Sequence, residues 1–553
     1  MFLKHGQKPP AYGRIKTGRG FNAWFNAGFE RLLCGYDGLV AASLRRPTLT
    51  LITFAALFLA TLGLYPRLGM SFFPRTDAGQ FVVLVKSPSG TRLAVTEQLV
   101  ARLENTIRDV IADELDMIVS NVGTVPGFSS IYTSNSATHT AFLQVNLKER
   151  HRVSSFDYMA RLKTKVQGEL PEISVFFQPG GMVDAVLNLG LPAPMDVQVS
   201  GFNLEQTYGT AIQLAERIRG VREVGEVFIP QDVDYPALRL KVDRTRAAQL
   251  GLDQKEVVQN VITALTSNQM IAPSYWIDPK NGNDYMLTVQ YPEKQVRTIE
   301  DLKAIPLRGE GSSEATRLDA ITSVKRQSAP TEVDHYQLQR VIDVYVRPEG
   351  EDLGRITSAI DSITRSLDMP RDTTVSIQGM VKNMRSSFRS FALGLMLSLV
   401  LLYLVLIAQF RSWVDPAIIL IAVPPGIMGV IGILLATGTT INIMSLMGMI
   451  MLAGIVVSNS ILMVEFARHL REDGMEVREA VVRSCRVRLR PVLMTSLATI
   501  IGLLPMALKI GTGSEAYAPL ARTIIGGLTL SVVLTVFLVP AAYYLMHRSR
   551  KCV

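Results

Sequence analysis

The sequence predicts an α-helical membrane protein of about six transmembrane helices, with a large α+β block outside the membrane built from ferredoxin-like βαββαβ subdomains. Three observations predict this fold class. Of the 553 residues, 48% are hydrophobic and 19% are charged, and the mean hydropathy is +0.24. This average is too apolar for a wholly water-soluble protein and too charged for a wholly buried one. Apolar runs long enough to cross a bilayer recur along the chain, and one hydrophilic block of several hundred residues separates the first run from the second.

The orientation of the apolar runs follows from the distribution of lysine and arginine. The runs are Thr48–Leu64, Phe391–Ile407, Pro416–Leu435, Ile443–Phe466, Pro491–Leu508 and Ile524–Leu545. Basic residues crowd the segment before the first run, the turn between the fourth and fifth runs, and the tail. Because positive charge accumulates at the cytoplasmic ends of spans, we expect a multi-pass protein with both termini in the cytoplasm and the hydrophilic block on the other side. The net charge of +9 is then largely topological, so nucleic-acid binding is not expected.

The segments that flank the hydrophilic block are assigned to the cytoplasm and the membrane. Residues 1–47 are predicted to form a cytoplasmic segment with one amphipathic helix, and residues 48–66 a transmembrane helix. Residues 387–553 are predicted to form a bundle of five more transmembrane helices. The amphipathic helix would carry on one face Phe21, Trp24, Phe25, Phe29 and Leu32. Such a face suits either the headgroup region of a membrane or packing against protein.

The hydrophilic block is predicted to contain two βαββαβ units and an insert. In the first unit, residues 67–180, the strand-like runs "QFVVLVK", "MIVSNVG", "TAFLQVNL" and "ISVFFQP" alternate with helical patterns at Leu93–Ile111 and Phe156–Leu170. The second unit consists of residues 181–243 and 334–386. Its first strand-like run is "MDVQVSG", and it includes "ALRLKV". The strands of its second half, "RVIDVYVRPEG" and "TTVSIQG", come later in the chain, after the insert. Residues 244–333 would form a separate subdomain inserted into a loop of the second unit.

Several function classes lack their sequence signals. The chain has no G-x-x-x-x-G-K-[ST] motif, so any work must draw on an ion gradient or on another subunit. The six histidines are scattered, which makes a zinc or haem site improbable, and nothing indicates an enzyme. All three cysteines, Cys34, Cys485 and Cys552, fall in segments assigned to the cytoplasm, so the block has no disulfide. Methionines crowd the fourth run; they could pass soft metal ions, but flexible packing is the commoner use.

The fourth apolar run contains polar residues at membrane depth. In "MLAGIVVSNSILMVEFARHL", Ser458 and Glu465 are seven residues apart and therefore share a helix face, with Asn459 beside them. Intramembrane polar groups usually face a bundle interior and often mark an ion route. The alternative is that they hydrogen-bond neighbouring helices, which suits the serines better than Glu465.

Three stretches of the sequence resemble one transporter family. "GMSFFPRTDAGQF", "GIVVSNSILMVEFA" and "RVRLRPVLMTSLATIIGLLPMAL" resemble the carboxy-terminal half of resistance-nodulation-division (RND) permeases of the hydrophobe/amphiphile efflux type, the proton-driven tripartite pumps of Gram-negative bacteria. The resemblance covers essentially the whole chain. It implies that the spans are the second set of six in a twelve-span permease, that the two αβ units are porter subdomains and that the insert is a docking subdomain. Met1 falls inside the family's pattern, which implies a split or truncated gene or a start assigned too late.

The resemblance also implies roles for individual residues. The family's proton relay pairs two aspartates of the amino-terminal half with a lysine, an arginine and a threonine. Arg488 and Thr495 match the last two, whereas Ser458 stands at the lysine position, so the charge of the relay differs here. Asn459 and Glu465 match the family pattern in supporting roles. In the porter subdomains, Phe128 would be the tip of the mobile loop between drug pockets, and Phe142, Phe176 and Phe177 would be pocket walls. From sequence alone, burial in the core of an αβ sandwich is the favoured interpretation of these aromatic residues.

The function implied by the resemblance is export of hydrophobic or amphiphilic compounds from a bacterial inner membrane by proton antiport, with the large block in the periplasm. No cofactor besides the proton gradient and no metal site is expected. The implied partners are the amino-terminal half of the permease, a periplasmic membrane-fusion adaptor, an outer-membrane channel and, in a homotrimer, further copies. Three alternatives stay open: a half-size permease that works as a homo-oligomer, a truncated remnant without transport activity, and a protein-export accessory.

Overall fold

The structure is a computed structural model that describes residues 33, 35–123, 136–188, 190–292, 295–308, 315–511 and 513–548. Within these residues, six helices are long and apolar enough to cross a membrane. We number them as the first to sixth spans: Pro47–Arg67, Met380–Phe410, Val414–Ala436, Ile443–Glu472, Val477–Ala507 and Ser514–His547. All six contain a predicted apolar run, because uninterrupted apolar sequence of this length is the strongest signal that a chain carries.

The sixth span is the centre of the membrane bundle and packs against the third, fourth and fifth spans. Its contact with the third span depends on glycine: a Cβ atom on Gly429 would collide with the backbone carbonyl of Gly526. The third span is not continuous, because it consists of the helices Val414–Leu420 and Val423–Ala436. The interruption immediately precedes Pro424 and Pro425, whose missing N–H groups end the hydrogen-bond ladder of the preceding turn.

The spans are unevenly covered by protein. In the most apolar stretch of the first span no residue is buried, and in the second and fifth spans the buried share is 6% and 17%, against 67% in the sixth. Large apolar side chains such as Leu397 and Val405 of the second span and Met494 of the fifth are therefore more than half exposed. One side of the bundle is therefore well packed, whereas the described chain does not cover the other sides.

The described part of the segment before the first span packs against protein. Residues 35–45 are helical, and Tyr36, Val40 and Leu44 are buried in the core of the membrane bundle. The Tyr36 hydroxyl donates to the carbonyl of Val536 in the sixth span at 3.1 Å. This arrangement favours protein packing over a headgroup location for these residues. The aromatic face predicted at residues 21–32 lies outside the described residues.

The block between the first and second spans consists of short strands and helices. In chain order they are β1 (Gln80–Lys86), α1 (Leu93–Ile111), β2 (Leu115–Val122), β3 (Thr140–Leu147), α2 (Ser155–Glu169), β4 (Ser174–Pro179), α3 (Met182–Leu187), β5 (Met195–Ser200), α4 (Leu204–Arg219), β6 (Val224–Phe228), β7 (Tyr235–Val242), α5 (Arg244–Gln249), α6 (Gln254–Thr266), β8 (Ser274–Ile277), β9 (Asp284–Leu287), α7 (Ile299–Lys303), β10 (Pro306–Leu307), β11 (Thr316–Arg317), α8 (Leu318–Ile321), β12 (Thr322–Ala329), β13 (Asp334–Tyr336), β14 (Gln339–Pro348), α9 (Leu353–Ser366) and β15 (Thr374–Gly379).

The first α+β unit is a four-stranded antiparallel sheet of order β2-β3-β1-β4. Alternate residues of β1, including Val83 and Val85, point toward α1 and α2 and share a core with Leu103 and Leu162. The other face of the same strands carries Leu84 and, in β4, Phe176. Strand alternation therefore gives this sheet two buried faces, one against its own helices and one against the second unit.

The second α+β unit is a five-stranded sheet in which β14 and β15 flank β5, and β6 and β13 both pair with β14. Helices α4 and α9 cover one face, where Val197 and Val199 of β5 meet Leu214 and Ile356. Strands β14 and β15, which flank β5 in this sheet, follow the insert in the chain.

The insert has its own core and its own strand pairing. The strand at "ALRLKV" is predicted in the second unit, with the boundary at residue 243. In the structure this strand, β7, pairs along its whole length with β12 and lies outside the five-stranded sheet. The reason is that alternation identifies a strand but not its partner. The insert therefore begins with β7, and its core includes Val257, Leu302 and Leu318.

Several contacts join the block to the membrane spans. In the turn between the third and fourth spans, Ile441 forms a parallel bridge with Met70, and the hydroxyls of Thr440 and Ser71 are 2.7 Å apart. The Met70 N–H also donates to Asp352, next to α9 of the second unit. At the start of the sixth span, the carboxylate of Glu515 accepts from the backbone N–H of Asp77, just before the first unit.

Candidate functional site

The polar residues of the fourth span divide between two sides of that helix. Ser458 and Glu465 are exposed, Asn459 is half-buried and Ser460 is fully buried. The Ser460 hydroxyl donates to the carbonyl of Val456, one turn earlier in the same helix, at 3.1 Å. Ser460 is thus satisfied inside the bundle, whereas Ser458 and Glu465 lie on a side that the described chain leaves uncovered.

Glu465 and Arg488 line a common cleft between the second, fourth and fifth spans. The guanidinium carbon of Arg488 lies 4.9 Å from the centre of the Phe466 ring, a cation–π distance. The Nε atom of Arg488 is buried without a hydrogen-bond partner among the described residues. A buried N–H of a permanently charged group is costly when unpaired. This cleft therefore contains a cation with one N–H group that lacks an acceptor among the described residues.

Thr495 lies seven residues, about two turns, beyond Arg488 on the fifth span and is exposed. Its hydroxyl donates within its own helix, to the carbonyls of Pro491 at 3.2 Å and Val492 at 3.1 Å. Ser458, Asn459 and Thr495 are not among the residues that line the cleft. Of the five residues proposed for a proton relay, the structure thus brings two together.

Arg468 is a residue of the same cleft that sequence reasoning used only for orientation. Its Nη1 donates to the carbonyl of Phe410, the last residue of the second span, at 2.6 Å, and its Nε donates to Glu472 at 2.9 Å. Arg468 thereby satisfies a carbonyl that the end of a helix leaves without an intrahelical partner. Its spacing of three residues from Glu465 could have indicated that both share a face.

The aromatic residues assigned to a substrate pocket lie in two different environments. Phe177 is fully buried in the core of the first unit, 6.3 Å from the ring of Phe81. Phe176 points the opposite way, with its ring centre 5.7 Å from that of Phe228 in the second unit, and Phe142 packs beside it. Phe176 and Phe142 therefore lie between the two units, whereas Phe177 does not. Phe128 lies outside the described residues.

Charged side chains between the two units were missed by the sequence analysis. Lys86 of β1 is 2.7 Å from one carboxylate oxygen of Asp232, and the fully buried His139 is 2.7 Å from the other. Glu226 of β6 accepts from Arg347 at 2.7 Å and from the backbone N–H of Phe177 at 2.8 Å. The available signal was a single charged residue at the end of an apolar strand, such as Lys86 after "FVVLV", because such a residue is buried only when paired.

The described residues contain no group of three or more histidine, cysteine, aspartate or glutamate side chains placed to hold a metal ion. Methionine, whose thioether sulfur is a ligand for soft metals, is not one of these four residue types. A bundle of apolar helices with bare sides, a polar face at membrane depth and a water-exposed block of two α+β units are features of a membrane transport protein.

The comparisons with known proteins give the family. A model of the AcrB/AcrD/AcrF family matches residues 1–547, and the chain belongs to this family of efflux permeases. Two crystal forms of a heavy metal efflux pump are similar in structure, each with a TM-score of 0.80 and 25% sequence identity. The match covers 94% of this chain but 53% and 52% of those chains. The chain thus spans about half the length of the solved pumps that it resembles.

Proposed function

We propose that this chain is the carboxy-terminal half of an RND permease that exports hydrophobic or amphiphilic compounds in exchange for protons. The observation that carries the proposal is the uncovered polar side of the fourth and fifth spans, where Glu465 is exposed and Arg488 lacks an acceptor for its Nε. Charged groups of membrane spans need a partner wherever water does not reach them. An amino-terminal half with facing carboxylates would supply it, and the share of the solved pumps that the chain covers supports a missing half.

The proposed complex has several components. The amino-terminal half would cover the bare sides of the first, second and fifth spans, and the assembled permease would be a homotrimer. The block would stand in the periplasm of a bacterium, with both termini in the cytoplasm. There the two α+β units would act as porter subdomains and the insert as a docking subdomain that meets an outer-membrane channel, with a membrane-fusion adaptor alongside. The strand order β2-β3-β1-β4, with both helices on one face, supports a ferredoxin-like porter assignment.

The experiment that tests the proton route replaces the cation of the cleft. We expect Arg488→Ala to abolish export and raise drug sensitivity, because the facing carboxylates would lose their counter-charge, while protein level in the membrane stays unchanged. Arg490→Ala is the matched control, since Arg490 is an exposed arginine two residues away on the same helix, and it should keep activity. Drug tolerance of a complemented strain measures both. Unchanged tolerance with Arg488→Ala contradicts the proposal.

The proposed substrate surface lies between the two α+β units, where Phe142 and Phe176 meet Phe228. An aromatic, mainly apolar surface suits amphiphilic compounds. Phe128→Ala is expected to change the spectrum of exported compounds more than the protein level; an unchanged spectrum would favour a packing role.

The similarity to heavy metal efflux pumps favours a second candidate function, the export of a soft metal ion. The chain has 22 methionines, and thioethers bind soft metals. Tolerance to copper and silver salts, measured in the same strains as tolerance to amphiphilic drugs, separates the two. Loss of metal tolerance alone on deletion of the gene would replace the first proposal with the second.

Three alternative hypotheses are that the chain is a half-size homo-oligomeric permease, a truncated remnant or a protein-export accessory. An antibody against the block, used to size the polypeptide in native membranes, separates the possibilities. A band near 60.9 kDa would indicate a separate subunit, whose partner should co-purify. A band near twice that mass would indicate one longer polypeptide.

A further inference from the structure

Two buried aspartates lie side by side on the second sheet. Asp196 of β5 is fully buried and Asp343 of β14 is 7% exposed. Both carboxylates accept a hydrogen bond from the same amide nitrogen of Gln198, at 2.9 and 3.1 Å. A second amide, that of Gln231, donates to Asp343 and to Asp334 at 2.7 Å each. The cluster thus contains three carboxylates joined by neutral amides.

No cation of the described residues forms a salt bridge with these three carboxylates. The nearby cations are engaged elsewhere, because Lys86 pairs with Asp232 and Arg347 with Glu226. In addition, Asp196 Oδ1 and Gln198 Oε1 are buried without a hydrogen-bond partner. Two adjacent buried carboxylates that lack a counter-charge strongly disfavour the state in which both are ionised. One proton on the pair removes this repulsion.

The pair lies on the face of the sheet that meets the first unit. Tyr345 of β14 lies directly opposite Asp196 in the strand register, and its ring centre is 6.1 Å from that of Phe176 in the first unit. The nearby Glu226 accepts from the backbone N–H of Phe177, also in the first unit. The two aspartates therefore lie on the sheet face that contacts the first unit.

We propose that Asp196 and Asp343 form a proton-binding site that favours contact between the two α+β units when it is loaded and favours their separation when it is empty. The site lies in the block outside the membrane and is distinct from the polar side of the fourth and fifth spans. Separation would return the carboxylates to water, where their charge is solvated.

The direction of the pH dependence follows from the same burial. Burial raises the pKa of Asp343 to about 6, against opposing hydrogen bonds from Gln231 and Gln198. Burial and the charge of Asp343 raise the pKa of Asp196 well above its usual range. The closed state therefore binds more protons than the open one. It is most favoured below the ordinary aspartate pKa of about 4 and weakens by up to about tenfold per pH unit up to about 6.

Other charged groups face the same interface and must be separated from the pair by the test: Lys86, His139, Glu226, Asp232, Asp334 and Arg347. Lys86 and Arg347 are each paired with a carboxylate, Asp232 and Glu226 respectively. His139 is the main competitor, because histidine is the side chain that ordinarily changes charge between pH 5 and 8. Replacement of His139 by glutamine provides the matched control.

The experiment measures the distance between the units as a function of pH. Spin labels would be placed at Gln167→Cys on α2 and Ile212→Cys on α4, two exposed positions that line one cleft between the units. Cys34 and Cys552 are replaced by serine, and the full chain is held in lipid nanodiscs. Double electron–electron resonance is expected to show a shorter-distance population at pH 4.5 that decreases severalfold by pH 7. An unchanged distribution overturns the proposal.

The variants identify the groups responsible. Asp196→Asn/Asp343→Asn should hold the shorter distance at every pH. Each single substitution should reduce the pH dependence, because the remaining carboxylate is still buried but no longer faces the other. The single variants serve if the double variant does not fold. His139→Gln and the exposed Asp372→Asn should keep the wild-type pH dependence. An undiminished pH dependence in the aspartate variants, or its loss in His139→Gln, overturns the proposal. The distances require no transport, so failure here leaves the proposed function unaffected.

Discussion

At the residue scale, the charged pairs between the α+β units differ from those on the surface in how much they should contribute. The Arg347–Glu226 pair has side chains that are 10% and 7% exposed, whereas those of Arg355 and Glu223 are 49% and 39% exposed. Removal of one partner from a buried pair leaves an uncompensated charge in a poorly solvated place. Removal from a solvated pair leaves a charge that water accepts.

This contrast gives a first prediction. Arg347→Met should destabilise the folded block by about 3–5 kcal/mol, because Glu226 is left buried without its cation. Arg355→Met, the matched control, should cost less than about 1 kcal/mol. Thermal unfolding of the purified protein, followed by circular dichroism, measures both. Equal effects of the two substitutions would contradict the assignment of Glu226 and Arg347 as a buried pair.

The residue scale is also where the sequence was least informative. The i to i+7 spacing placed Ser458 and Glu465 on one helix face, and the structure shows both exposed on the uncovered side. The sequence could not show that Ser460, two residues from Ser458, faces the bundle interior, because an almost uniformly apolar span has little periodicity to orient it. The buried aspartates were missed because a carboxylate in a β-branched strand is read as facing water.

At the element scale, the third and sixth spans approach closely because both have glycine at the contact. A Cβ at Gly429 meets backbone rather than a flexible side chain, so the neighbour has little freedom to move away. Gly432, three residues later on the same span, has no atom within 4 Å of a built Cβ. The two glycines therefore differ in function although both lie in one apolar helix.

The second prediction tests this contact. Gly429→Ala should destabilise the bundle by about 1–3 kcal/mol, the usual cost of overpacking, and lower the melting temperature in detergent. Gly432→Ala should leave the melting temperature unchanged or raise it, since alanine is the better helix former. If both substitutions act alike, the close approach of the third and sixth spans is not what stabilises this part of the bundle.

The spans and most strands of the two α+β units were predictable, whereas the elements within the insert and the pairing of β7 were not. Continuous apolar runs identified the spans, and alternation identified the strands, because both are local properties of the chain. The partner of β7 is a long-range property: β7 pairs with β12, which lies beyond an entire subdomain. Local pattern fixes that a strand exists, whereas the competition between possible partners decides the sheet to which it belongs.

At the scale of the whole molecule, the first, second and fifth spans have apolar sides that the described chain does not cover. Lipid can cover apolar side chains such as Val405, but it cannot satisfy the charges of Glu465 and Arg488. The uncovered side therefore needs protein or water at these residues, and the proposed amino-terminal half would provide the former.

The third prediction measures this coverage. Glu465→Cys should react with a charged maleimide in membranes that contain this chain alone, because the residue is exposed in an open cleft. Co-production of the proposed amino-terminal half should slow the reaction severalfold. Arg483→Cys, exposed on the fifth span, should react equally in both cases. Equal reactivity of Glu465→Cys with and without the other half would show that the cleft does not face it.

The displaced strands of the second unit have a consequence for biosynthesis. Strand β5 obtains its hydrogen-bonded neighbours only from β14 and β15, which leave the ribosome after the whole insert. Until then β5 and α4 have exposed apolar faces and unpaired edges, the condition in which nascent chains aggregate. In the first unit, the four strands and two helices follow one another in the chain without an inserted subdomain. This unit can therefore fold before the insert is synthesised. Dependence on a chaperone during synthesis should therefore be a property of the second unit.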